Sequence, residues 1–246
     1  MHFTLVVALP PAARDDVRAA LAAALAPFDI EREVEAYPEY ETAAAPADTL
    51  WVQYARRRGE LPDRDDLTWA QVTETVNLVR GYRPGTPNHL AVDEAGRAYR
   101  LSTFNRQGKW DGYQVGGQWE AHFLHRPEAT GDPRLITVRR GHPDEDGPDG
   151  VPACDGGPRA LLDFEALRAR AVRPAGPEAP APSTDQDVAR ARDEAVPGDA
   201  LLRLDGTWLE PGTGVTDSWD AYLRAANAYL DGLDGDVLLV AVHCHG

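Results

Sequence analysis

The first forty residues contain a short apolar run followed by a segment whose apolar residues have helical spacing. Residues 2–9 (HFTLVVAL) are rich in β-forming side chains, and in residues 12–28 Val17, Leu21 and Leu25 recur every four positions before Pro27. This pattern predicts a strand followed by a helix. A strand–helix opening is typical of α/β and α+β proteins in which the first strand is buried. Residues 29–48 predict a further strand that leads into a loop.

The rest of the chain predicts a mixture of helices and strands. Helices are expected at 65–80, 162–172, 187–195 and 218–230, and a hairpin is expected at 88–104 with its turn at 94–96. Strands are expected at 113–124, 134–139 and 200–204, the first two paired, with a turn at Trp208. The last apolar run, DVLLVAVHCHG, indicates a central strand covered on both faces. Together these elements predict an α+β fold with a mixed β-sheet and packed helices, ferredoxin-like in its first half.

The pattern is interrupted most clearly by a Pro/Ala-rich segment at residues 173–186. This composition is typical of an extended, mobile linker. We expect a single α+β domain over residues 1–246, and any subdivision would separate residues 1–172 from 187–246.

Charge and composition narrow the classes of partner. The chain has 40 acidic and 25 basic residues and a formal net charge of −15, which disfavours nonspecific nucleic-acid binding but leaves room for a small anionic ligand in a local basic pocket. No apolar stretch is long enough to predict a membrane span, and the N-terminus lacks the basic region of a signal peptide. Two cysteines fit a reducing compartment, so we expect a soluble cytoplasmic protein.

The stretch GKWDGYQVGGQW, residues 108–119, holds the single lysine of the chain among 25 basic residues. Lysine binds phosphate or carboxylate as a point charge, an aspartate can act as base or metal ligand, and glycines within a strand mark a bulge or a close approach to the backbone. The candidate ligand-binding residues are Lys109, Trp110, Tyr113, Gln114, Gly116 and Gly117. The alternative is a tight loop with Trp110 and Tyr113 in the core and a solvated pair of Lys109 and Asp111.

The C-terminal sequence His243-Cys244-His245 is the second candidate. On a strand both histidines point to one face, where two imidazoles can share a divalent metal, whereas Cys244 points to the core. A metal site needs a third ligand, for which Asp111, Asp155 and Asp163 are candidates. The alternative is a pair of exposed terminal histidines. His122 and His125, three positions apart, would face opposite sides of a strand.

Several of these stretches are similar to a group of uncharacterised proteins from actinobacteria and tailed phages. KWDGYQVGGQW resembles the group's KWDWYQIGGRW, DGGPRALLDFEALR and LLRLDGTWLEPG resemble two further segments, and LLVAVHCHG resembles its final strand, which ends in Asp-Cys-His. The resemblance covers about three-fifths of the chain. The matching positions are Lys109, Trp110, Asp111, Tyr113, Gln114, Gly116, Gly117, Trp119, Arg159, Asp163, Trp208, Cys244 and His245.

The resemblance implies positions rather than an activity. His243 stands where the group has aspartate, which weakens a two-histidine metal site as a shared property, and Gly112 replaces a bulky aromatic residue. Our first hypothesis is a small-molecule hydrolase acting on a phosphoester or nucleotide-like anion, with Asp111, His245 and Lys109 as the catalytic residues. The second is a noncatalytic ligand- or protein-binding module in phage–host interaction, and the third is a purely structural motif.

Overall fold

The computed structural model of the chain describes residues 2–116, 121–138, 152–172, 184–212 and 216–246. Met1–Ile30 and Gln107–Gly246 form one compact unit, the main unit, and Glu31–Arg106 form a second, the inserted unit. These boundaries differ from the one predicted at 173–186, because the strands on either side of the insertion join the same sheet. Residues 173–183 lie outside the described residues, so the linker stays a prediction.

The described residues contain helices and strands throughout. The helices are α1 (Val17–Leu25), α2 (Leu50–Arg57), α3 (Trp69–Arg80), α4 (Phe164–Ala171), α5 (Asp185–Glu194) and α6 (Trp219–Asp231). The strands are β1 (His2–Leu9), β2 (Tyr37–Tyr40), β3 (Leu90–Val92), β4 (Ala98–Ser102), β5 (Gly112–Val115), β6 (Phe123–Leu124), β7 (Ala153–Cys154), β8 (Gly156–Pro158), β9 (Ala200–Leu202), β10 (Trp208–Leu209) and β11 (Leu238–His245). The predicted α+β class is confirmed.

The main unit is built on a mixed sheet with strand order β10-β9-β1-β11-β5, in which β8 also pairs with β11. β1 runs antiparallel to β11 from His2↔His245 to Leu9↔Leu238, and parallel to β9. β11 is buried along almost its whole length, which confirms the central strand that its continuous apolar sequence predicts.

The two faces of this sheet are covered by different helices. Leu239 and Ala241 of β11 belong to the core that includes residues of α4 and α6, which we call the α6 face. Val240 and Val242 belong to the core that includes residues of α1, which we call the α1 face. Because side chains alternate along a strand, His243 and His245 follow Leu239 and Ala241 on the α6 face, whereas Cys244 lies on the α1 face.

The inserted unit has a three-stranded antiparallel sheet, β2-β4-β3, with α2 and α3. β3 and β4 form the predicted hairpin. α3 begins with a capping box between Thr68 and Gln71, and it ends at Gly81, whose φ of 68° is left-handed; glycine adopts this conformation without steric cost. The core of this unit contains Val52, Ala55, Leu61, Leu67, Trp69, Val72, Val76 and Ala98.

Three expectations differ from the structure. The first half is not ferredoxin-like, because β1 pairs with strands from the last fifty residues and β2 belongs to a separate sheet. Residues 134–139 do not pair with 113–124 as far as both are described; Ile136 forms a bridge with Gly156 instead, and β6 pairs with β7. Trp208 begins strand β10 rather than a turn. Within the described residues, no helix combines the length and apolar character needed to cross a membrane.

Candidate functional site

Asp111 and His245 form a hydrogen-bonded pair at the end of the central strand. β5 runs antiparallel to the end of β11, with Gly112 opposite His245, and the N–H of Asp111 donates to the carbonyl oxygen of His245 at 2.8 Å. The carboxylate Oδ1 of Asp111 lies 2.5 Å from Nδ1 of His245. A carboxylate oxygen accepts, so Nδ1–H donates, and Nε2 is left for another partner. This hydrogen bond lowers the pKa of Asp111 and keeps its carboxyl group ionised.

A third imidazole joins the two that the sequence singles out. The pairing of β1 with β11 brings His2 opposite His245, with 4.9 Å between the ring centroids. The rings of His2 and His243 stack at 5.1 Å, with Nδ1 of His2 3.1 Å from Nε2 of His243. Burial, and secondarily the charge of His2, lowers the pKa of His243 and favours its neutral form. We call His2, Asp111, His243 and His245 the histidine cluster.

The cluster borders open space along β5. A Cβ at Gly112 would meet no atom within 4 Å, and Gln114, opposite His243 in the register, is exposed. Gly116 follows the strand with a φ of 93°, and its N–H donates to the carbonyl oxygen of Ala241 at 2.8 Å. A ligand beside His245 would therefore meet the backbone of Gly112 and lie near the amide side chain of Gln114. Gly117 and Trp119, also singled out by the sequence, lie outside the described residues.

Lys109 belongs to a different group of side chains. Its Nζ lies 2.6 Å from Oε1 of Glu210, and Oε2 of Glu210 accepts the indole N–H of Trp208 at 2.8 Å. Trp208 packs in the core of the α1 face. Asp111 is hydrogen-bonded to His245, whose side chain lies on the side of the α6 face. The structure therefore brings Asp111 and His245 together but places Lys109 in a separate ion pair, which corrects the prediction that the three converge.

Trp110 is a core residue rather than a ligand-stacking residue. Its side chain is buried on the α1 face, and its indole N–H donates to the carbonyl oxygen of Leu25 at 3.2 Å. Tyr113 packs against it edge-to-face at 5.1 Å, with Cys244 in the same core as predicted. Burial raises the pKa of the Cys244 thiol to about 12, so this sulfur stays protonated.

The metal prediction for His243 and His245 is not supported. Over the parts of the chain that the structure describes, no group of three or more His, Cys, Asp or Glu side chains could hold a metal ion. Nε2 of His243 is turned toward His2. Of the proposed third ligands, Asp163 caps α4 through the N–H of Ala166, and Asp155 accepts the N–H of Val138.

Other positions singled out by the sequence stabilise the fold. Arg159 lies over the ring of Phe164, 3.8 Å from its centroid, and donates to the carbonyl oxygen of Leu230. Nε2 of His122 donates to the carbonyl oxygen of Val196 at 3.0 Å, and burial lowers the pKa of this imidazole. His125 is buried and contacts the backbone of the next residue.

Sequence reasoning missed His2. A histidine at the start of an apolar strand carries no signal by itself, and its role depends on the pairing of β1 with a strand about 240 positions away. Comparison of the chain with protein-family models, curated proteins and solved structures gives no match. The geometry of the histidine cluster is therefore the basis of the proposed function.

We expect Lys109→Ala to destabilise the main unit by about 1–2 kcal/mol, because the half-buried Glu210 carboxylate loses its ionic partner. The side chains of Lys109 and Glu210 are only 30% and 24% exposed. Arg190→Ala is the control, since its pair with Glu194 is 61% and 37% exposed, and about 0.5 kcal/mol or less is expected there. Urea unfolding measures both; equal losses would argue against a structural role for the Lys109 pair.

Proposed function

We propose that the main unit is a hydrolase acting on a phosphoester or nucleotide-like anion at the histidine cluster. The observation that carries the proposal is the 2.5 Å hydrogen bond between Asp111 and His245, with two more imidazoles beside it. Asp111 accepts the Nδ1–H of His245 and so fixes the tautomer in which Nε2 is the reacting nitrogen, as an orienting carboxylate does in acid–base catalysis. Burial lowers the pKa of the neighbouring His243, so this imidazole is held in its neutral form beside the pair.

In this mechanism water is the nucleophile. Nε2 of His245 takes a proton from water as the water oxygen forms a bond to phosphorus, and the bond between phosphorus and the leaving oxygen breaks. The leaving oxygen takes its proton from His2, whose Nδ1 lies beside Nε2 of the neutral His243. The open space beside Gly112 gives room for the ligand, and Gln114 offers amide donors to phosphoryl oxygens.

The test is hydrolysis of p-nitrophenyl phosphate and bis(p-nitrophenyl) phosphate, with p-nitrophenyl acetate as a carboxylic ester for comparison. We expect turnover of a phosphate ester, and Asp111→Asn should lower kcat at least about tenfold, because the amide accepts the hydrogen bond but lacks the charge that stabilises imidazolium.

Asp132→Asn is the control, as it removes one carboxylate of the main unit that is paired with Arg134 and lies outside the cluster. Absence of turnover, with binding of phenyl phosphate retained, would contradict the hydrolase and favour the noncatalytic binding module on the same surface. Equal activity of Asp111→Asn and wild type would remove the pair from the mechanism.

A further inference from the structure

The inserted unit contains a cavity that the histidine cluster does not use. Its volume is about 430 Å³, which is within the range of small-molecule sites. Aromatic side chains from three elements line it: Trp51 of α2, Tyr82 after α3, and Tyr99 of β4. Val76 and Leu90 supply apolar surface. The lining therefore combines apolar and aromatic surface with charged side chains.

The charged side chains of the cavity wall differ in whether they form ion pairs. Arg100 is bound to Glu39 at 2.7 Å, and Arg80 is bound to Glu60 at 2.8 Å, so both cations of the wall already have a carboxylate. Glu41 differs from these pairs. It accepts the indole N–H of Trp51 at 2.8 Å and the N–H of Thr42 at 3.0 Å, which are neutral donors.

Among the described residues, no basic side chain forms an ion pair with Glu41. Within the part of the chain that the structure describes, the wall therefore presents a carboxylate that is not paired with a cation. An ionised carboxylate beside aromatic surface is the environment that favours a positively charged ligand, since ring faces attract cations electrostatically. An anion in the same cavity would be repelled by Glu41.

A cation of the chain already lies over an aromatic ring of the cavity lining. The guanidinium carbon of Arg97 lies 4.3 Å from the ring centroid of Tyr40, and Tyr40 packs at 5.5 Å against Tyr99. At the rim the chain itself supplies the cation. Trp51, Tyr82 and Tyr99 add aromatic surface to the lining of the cavity, and Trp51 is hydrogen-bonded to Glu41.

We propose that this cavity binds a small organic cation with an alkylated ammonium group, held between the aromatic rings and the carboxylate of Glu41. Such a group is weakly hydrated, so it loses little on entering an apolar cavity and gains from the ring faces and the carboxylate. This site is independent of the hydrolase proposed for the main unit.

Calorimetric titration of the full chain with choline tests the proposal, with 3,3-dimethyl-1-butanol as a neutral molecule of the same shape. We expect choline to bind at least about tenfold more tightly than the alcohol, and Glu41→Gln to weaken choline binding about tenfold. The glutamine oxygen can still accept the indole N–H of Trp51. Glu74→Gln is the control, because it removes the same charge from an exposed position of α3.

Tyr99→Leu provides a second variant that keeps Glu41 and removes one ring; it should also weaken choline binding. Circular dichroism establishes that each variant is folded. No heat of binding with choline, equal affinity for choline and the alcohol, or unchanged binding in folded Glu41→Gln would overturn the proposal.

Discussion

Replacing Gly156 with alanine is expected to destabilise the main unit by about 3 kcal/mol. An alanine Cβ would overlap the carbonyl oxygen of Leu239 and lie 3.0 Å from Cα of Val240. Both are backbone atoms of β11, so no side-chain rotation relieves the contact. Since β11 is paired on both sides and buried on both faces, we expect β8 to separate from it rather than β11 to move.

Gly112→Ala is the matched control for this effect. It makes the same substitution in another strand paired with β11, where no atom lies within 4 Å of the new Cβ, so a change of about 0.5 kcal/mol or less is expected. Urea unfolding followed by far-UV circular dichroism compares the two variants. If Gly156→Ala were as stable as Gly112→Ala, the close pairing of β8 with β11 would be contradicted.

Replacing His245 with glutamine is expected to lower kcat for phosphoester hydrolysis by about 10²- to 10⁴-fold, the range over which general acid–base groups act. Glutamine keeps a polar side chain next to Asp111 but cannot exchange a proton with water. The side chain of His245 is 53% exposed, so the variant should fold as the wild type does, and the loss should appear in turnover rather than in stability.

His89→Gln is the control, because it changes a histidine of the inserted unit and leaves the cluster intact. Initial rates with a p-nitrophenyl phosphate ester, measured beside unfolding midpoints, separate catalysis from folding. A His245→Gln variant that retains wild-type turnover would exclude this imidazole as the proton-transfer group, whatever the effect of Asp111→Asn.

The sheet of the main unit was predictable where the local pattern is strong. β1 and β11 are continuous apolar runs, and alternation along β11 correctly puts His243 and His245 on one face with Cys244 on the other. In the inserted unit, α3 ends at Gly81 as predicted, although it begins at Trp69 and not at residue 65. These signals are local, since they depend on a residue and its near neighbours in the chain.

α2 was missed because its pattern is blurred by exposed apolar residues. Leu50 and Tyr54 are 81% and 57% exposed, while its buried positions are Val52 and Ala55. Placing the apolar residues of α2 in the core would therefore assign the wrong face of the helix to the interior. Exposure of this kind depends on the packing of the whole unit rather than on the helix alone.

The candidate site was only half predictable for a related reason. Alternation joins His243 with His245, but the partners of each side chain come from distant strands. Lys109 meets Glu210, 101 positions away, and His2 meets His243 across 241 positions. Strand order decides both contacts, and no local pattern encodes it. The sequence likewise left Trp110 as either a stacking residue or a core residue, and its burial near Leu25 decides for the core.

The measurement that tests the histidine cluster most directly is an NMR titration of the imidazole Cε1–Hε1 signals with phenyl phosphate. The chain has seven histidines. We expect the signals of His2, His243 and His245 to shift together on addition of phenyl phosphate, while that of His89 stays in place. In Asp111→Asn the shift of His245 should be weakened. Unmoved signals for the three cluster histidines, or equal shifts for all seven, would contradict a ligand site at this end of the sheet.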